Sequence, residues 1–203
     1  MRSLGSFIVW SGGPSRDAAQ ALESWGAPGL AELLSEHDGF VAFDGALRCF
    51  GLSAKRLPSV ASWNRADGWR TAYRDLTAGL FFFAEDIFGN QFAFEDGRVV
   101  RFLSETADRE FMADSVEEWL TVVASDPDEQ LSLWLLRDWR AQSDGPAFSE
   151  HLCPKIPFAL GGRYETTNFY ALDREKSMIF KGDLAWETRH LPEGAKVRLK
   201  IED

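Results

Sequence analysis

The sequence predicts an α+β fold, a mixed and mostly antiparallel sheet flanked by helices. Two blocks of apolar residues at helical spacing, one near the N-terminus and one over residues 115–140, supply the helices. Between and after them lie short apolar runs separated by Asp-Gly and Gly-Asn turns. Such turns are too short for the crossover of about a dozen residues that a parallel pair needs, so successive strands pair antiparallel.

The elements follow in order. After the apolar run Phe7–Trp10, Ser15 N-caps a helix reaching Trp25, with Ala18, Leu22 and Trp25 on one face and Gly26 as its stop. Pro28 opens a second short helix with the stripe Leu30, Leu33, Leu34, ended by Gly39. Phe40–Phe43 and Ala46–Phe50 read as two strands about a tight Asp44-Gly45 turn. Residues 53–75 read as a loop with room for one helical turn. Leu80–Ala84 is wholly apolar, a strand buried on both faces. Gln91–Glu95 and Val99–Leu103 form a hairpin about Asp96-Gly97. A two-residue turn would pair Glu95 with Arg98, whereas a three-residue turn puts Phe92, Phe94, Val100 and Phe102 on one face. The second register is preferred for its cleaner burial. Ser115 and Glu118 form a capping box, followed by Val116, Trp119, Leu120 and Val123 at helical spacing. Asp126-Pro127 breaks that helix, and another runs from about Asp128 to Arg140. A loop with Pro154 and Pro157 follows. The remainder reads as strands at about Thr167–Leu172, Ser177–Phe180, Leu184–Thr188 and Lys196–Ile201, closing a single domain over 1–203.

Composition narrows the class of function. The 203 residues are 45% hydrophobic and 13% aromatic, with 16 Phe and 8 Trp, which fits a globular chain rich in strands. No run approaches the roughly 18 apolar residues of a membrane span. Phe7–Trp10 is too short for the apolar core of a signal peptide. Cys49 and Cys153 read as two reduced thiols, so the expected location is cytoplasmic. The net charge is −10, and it is confined: residues 85–129 hold thirteen Asp and Glu against three Arg, while the rest of the chain is neutral. A concentrated negative field attracts basic partners and repels nucleic acid.

Signals of catalysis are sparse. His37, His151 and His190 stand far apart, with no HExxH and no cysteine pair at metal spacing. Ser11-Gly12-Gly13-Pro14-Ser15 lacks both the GKS/T and the three-glycine dinucleotide spacing, and reads as a turn with a cap. No catalytic residue, cofactor or metal is therefore expected. Glu85-Asp86 at the end of an apolar strand either caps a turn, meets a partner or supplies an acid–base pair. In Trp63–Arg70, Trp63 and Trp69 either fold back on the core or stand out as aromatic anchors. The candidate partner-binding set is Glu85, Asp86, Glu105, Asp108, Glu110, Asp114, Glu117, Trp63 and Trp69.

Several stretches resemble the SUKH superfamily, which includes fungal cell-wall-synthesis regulators of the Smi/Knr type and bacterial immunity proteins. Gly39-Phe40 through Gly45–Phe50 resembles its early hairpin. Phe82–Phe94, with Glu85-Asp86 and Gly89-Asn90, resembles its central signature, and Ala113–Leu120 the helix that follows. Pro157–Gly162, Asn168–Ala171 and Leu191–Gly194 resemble one bacterial subgroup, from which Trp186-Glu187 departs. The resemblance covers residues 28–125 well and 152–200 less closely, and it rests on the order of the motifs. It implies no enzymatic activity and binding to a cognate secreted toxin, often a nuclease or deaminase. Such a toxin is expected to be basic. The alternative is a regulatory or scaffold protein of the same fold with no toxin partner, and gene neighbourhood separates the two. Oligomeric state is not readable from the residues.

Overall fold

The computed structural model describes residues 4–15, 22, 27, 29–192 and 194–197. Its centre is a seven-stranded meander in which β1 (Ile8–Ser11), β2 (Phe40–Ala42), β3 (Leu47–Cys49), β4 (Phe81–Asp86), β5 (Gln91–Glu95), β6 (Arg98–Phe102) and β7 (Arg109–Ala113) lie side by side in chain order. Every neighbouring pair is antiparallel. β8 (Glu150–Pro154) and β9 (Phe169–Asp173) form a second, two-stranded antiparallel sheet. Among the described residues the α-helices are α1 (Leu30–Glu36), α2 (Val60–Trp63), α3 (Arg70–Tyr73), α4 (Val116–Ser125), α5 (Pro127–Leu131), α6 (Leu133–Arg140) and α7 (Arg174–Thr188). The architecture is the expected α+β class.

β4 sets the layers. All six of its residues are buried. Phe82 turns to one face, 5.1 Å from Trp69 and 5.6 Å from Phe102. Phe83 turns to the other, 4.9 Å from Trp119 of α4 and 5.0 Å from Phe94. The wholly apolar run at 80–84 is thus buried on both faces of the sheet, as its lack of alternation predicts. Ser115 caps α4 by accepting the Glu118 N–H at 3.1 Å, and the Glu118 carboxylate accepts from Asp114 N–H at 2.9 Å.

Several expectations are corrected. The β5–β6 hairpin pairs Glu95 with Arg98 across a two-residue Asp96-Gly97 turn. Asp96 and Gly97 both have positive φ, 49° and 80°, the turn geometry that matches strand twist. A single buried face does not set the register because both faces are buried: Phe92 and Phe94 face α4, while Val100 and Phe102 face the opposite layer. The Asp44-Gly45 turn is wider than expected, since Ala42 pairs with Leu47 around a 3-10 turn at Phe43–Gly45. Residues 53–75 hold α2 and α3 rather than a single turn. The helix expected over 128–140 divides at Ser132, whose φ of 50° breaks it.

The largest correction lies at the C-terminus. Ser177–Phe180 and Leu184–Thr188 are not strands but parts of α7, N-capped by Asp173, whose carboxylate accepts the Lys176 N–H at 3.0 Å. Its buried stripe includes Arg174, Ser177, Met178, Lys181, Leu184 and Ala185. The spacing is helical but half the stripe is polar, so apolar periodicity does not reveal it. The helix expected over Ser15–Trp25 and most of the strand expected over Lys196–Ile201 lie outside the described residues.

Candidate functional site

Two features compete for a functional role: a buried ion network between the sheets and an acidic sheet edge. The network begins with strand register. Arg48 of β3, Glu85 of β4 and Gln91 of β5 are cross-strand neighbours, so their side chains share the face that α7 covers. Arg174, in the first turn of α7, donates from Nε to Glu85 Oε1 at 2.6 Å. Arg48 Nη1 lies 3.6 Å from the same oxygen. Glu85 Oε2 faces Gln91 Nε2 at 3.4 Å and His151 Nε2 at 3.1 Å. The imidazole contact is short but lies off the hydrogen-bond direction, so it is a close approach and not a charged pair. Both guanidiniums also reach backbone: Arg48 donates to the carbonyls of Ala147 and Glu150, and Arg174 to that of Phe148. Trp63 donates to Gln91 Oε1 at 2.8 Å, and Arg174 stacks over the Trp63 ring at 5.8 Å. Lys181 donates to the Phe88 carbonyl.

The electrostatics favour a clamp over an acid–base pair. Burial by itself raises the Glu85 carboxyl, but the Arg174 and Arg48 guanidiniums hold it well below the usual carboxylate range. Burial lowers His151 to about 4, more than the Glu85 carboxylate raises it, so the ring is neutral at neutral pH. Burial lowers Arg48 to about 10, which leaves it charged. Asp86 is raised by burial, while its Oδ1 caps the turn by accepting from Phe88 and Asn90 N–H at 2.8 and 2.9 Å. An ionised Glu85 locked between guanidiniums is a weak base, and its side chain is fully buried. Surface depressions of ≈ 340 Å³ beside Arg70 and Arg74, and ≈ 260 Å³ beside Phe43 and Arg137, are lined by neither Glu85, Asp86 nor His151.

The residues expected to meet a partner divide into two sets. Trp63, Trp69, Glu85, Asp86 and Glu105 are interior, at 5%, 1%, 0%, 3% and 8% exposure, so their place in a contact surface is corrected. The two indoles pack against each other at 5.3 Å with their planes tilted by 36°, between Phe50 and Phe82. Glu105 is spent on the Ala159 N–H at 2.9 Å. Asp108, Glu110, Asp114 and Glu117 are exposed along β7 and the start of α4. The arginines of this segment are engaged at Arg98–Asp114 (3.1 Å), Arg101–Glu110 (3.8 Å) and Arg109–Glu95. Among the described residues, the exposed Asp96, Asp108, Glu117, Asp128 and Glu129 have no such partner. Sequence reading missed Arg48, His151, Arg174 and Lys181, whose roles depend on distant neighbours. It also missed Phe111, which lies within β7.

No family model matches the chain, and no curated protein matches it. Among solved structures it is similar to one described as the crystal structure of Atu4351 from Agrobacterium tumefaciens. That likeness is 9% identical with a TM-score of 0.59, covering 87% of this chain and 85% of the other. At that identity it bears on the fold alone. Among the described residues no helix is long and apolar enough to cross a membrane, and no group of three His, Cys, Asp or Glu is placed to hold a metal.

Proposed function

We propose that the chain is a non-enzymatic protein-binding domain, an immunity protein that neutralises a cognate secreted bacterial toxin in the cytoplasm through its acidic surface. The observation that carries this reading is the set of exposed carboxylates around β7, α4 and α5 left without a basic partner. Unneutralised surface charge of one sign steers a basic protein and raises its association rate. Toxins that act on nucleic acid present basic surfaces to their substrate, and an acidic face competes for that surface. The toxin itself, of the nuclease or deaminase class, comes from the SUKH-like order of the motifs.

Co-expression with the toxin encoded beside this gene tests the proposal. Growth is expected to be rescued by the native chain and lost with the triple variant Asp108→Lys, Glu110→Lys, Glu117→Lys. Rescue by the triple variant, with an affinity and salt dependence equal to the native chain's, would overturn the acidic-surface reading.

A further inference from the structure

We infer that the free edge of β7 receives an added strand from the partner, and that this strand is basic. The inference rests on the protein-binding reading above and deepens it. β7 ends the strand order of the large sheet. Just beyond the β6–β7 ladder the Asp108 carbonyl accepts the Leu103 N–H at 2.9 Å, while the Asp108 N–H turns to Thr106 Oγ1 at 3.3 Å, and the one cross-strand bond sets the phase of the ladder. Antiparallel alternation then turns the peptide groups of Arg109 and Phe111 away from β6. Among the described residues no strand pairs with them. An open row of this kind is a template for another chain.

Two features choose the occupant. Phe111 is 60% exposed in the middle of that edge, an apolar anchor with the Arg98 guanidinium 5.9 Å from its ring. Asp108 and Glu110, both exposed, lie to the other side of the strand, while Asp114 shares the Phe111 side and is engaged by Arg98 at 3.1 Å. A second copy of this chain docked β7 to β7 would set these acids against their own kind, and directly opposed like charges are destabilising. A strand alternating basic and apolar residues meets the acids with one set and Phe111 with the other. The opposite edge, β1, reads Ile8-Val9-Trp10-Ser11 and has no such charge.

The test uses the full chain labelled with nitrogen-15 and a ten-residue peptide alternating lysine and valine. A lysine–proline peptide of equal charge, which lacks half the strand donors, is the control. The lysine–valine peptide is expected to shift the Arg109 and Phe111 amides and slow their hydrogen exchange. Phe111→Ala should weaken binding about tenfold, the scale of a lost aromatic anchor. Phe111→Pro, which removes an outward N–H at a position where edge strands tolerate proline, should abolish it. Near-ultraviolet circular dichroism checks that each variant is folded, and Phe111→Ala keeps the test decisive if the proline variant is not.

Equal binding of both peptides, with salt-sensitive shifts centred on Glu117 and Asp128, overturns strand addition and leaves the acidic-surface reading standing. Failure of both peptides to bind overturns both. A dimer in sedimentation that Phe111→Ala dissolves overturns the basic occupant in favour of a second copy.

Discussion

Replacing Glu85 by Gln gives the sharpest test of the buried network. The substitution keeps the shape and deletes one charge. It leaves Arg174 and Arg48, formerly 2.6 and 3.6 Å from the carboxylate, as buried cations facing a neutral amide. Breaking a buried pair from one side costs about 3–5 kcal/mol, because the surviving charge remains desolvated. Here two cations survive, while the carbonyls of Ala147, Phe148 and Glu150 still satisfy part of each guanidinium. The two effects oppose, so a loss of about 4 kcal/mol is expected, against a total stability on the order of 5–15 kcal/mol. For a chain of this size that is a drop of roughly 8–16 °C in melting temperature. Urea titration followed by tryptophan fluorescence measures it. Hydrogen exchange should show β8, β9 and α7 loosening before the meander does. Adding Arg174→Gln should recover part of the loss, since it removes one stranded cation. A Glu85→Gln loss under about 1 kcal/mol with unchanged exchange in β8 and α7 would refute the clamp and leave the backbone carbonyls as the sufficient partners.

Acid should act early through His151. The folded ring stays neutral down to about 4, whereas the unfolded ring takes its proton near 6.5. The unfolded state therefore binds more protons in that window, and stability falls by about 3 kcal/mol as the pH drops through it. Glu85, held below its ordinary value of 4.5, adds a further loss below that pH. His151→Gln should flatten the slope between pH 6.5 and 4.5 in urea titrations, and an unchanged slope would locate it elsewhere. Gly182→Ala should destabilise by about 1–3 kcal/mol despite alanine's better helix propensity. The new methyl would lie 2.7 Å from the Tyr73 ring and 2.8 Å from the Ala72 methyl, where α7 crosses α3. A gain in denaturation midpoint would mean that the crossing relaxes.

Where each residue's job depends on its near neighbours, the chain could be read directly. The apolar run at 80–84, the Asp96-Gly97 turn and the capping box of α4 are local physics, and each appears in place. The register of the second hairpin was misread because one buried face was assumed where there are two. α7 escaped notice because its inward stripe holds Arg174, Ser177 and Lys181, polar residues whose burial is compensated by groups outside the helix. The network was illegible for the same reason: Glu85 and Arg174 are separated by 89 positions, and nothing near either residue announces the other. On the surface, the charge count located the acidic segment correctly but did not separate Asp108, Glu110, Asp114 and Glu117, which face solvent, from Glu85, Asp86 and Glu105, which do not.

The meander adds its strands in chain order, so synthesis on a ribosome delivers a nearly complete sheet by Ala113. Its fourth strand then carries Glu85 with Arg48 and Gln91 beside it, since His151 and Arg174 are not yet made. The nascent sheet accordingly waits, with a charge on the face that α7 will close, until that helix emerges. A fragment ending before Arg174 would hold every strand of the large sheet and still lack the cation that seals it.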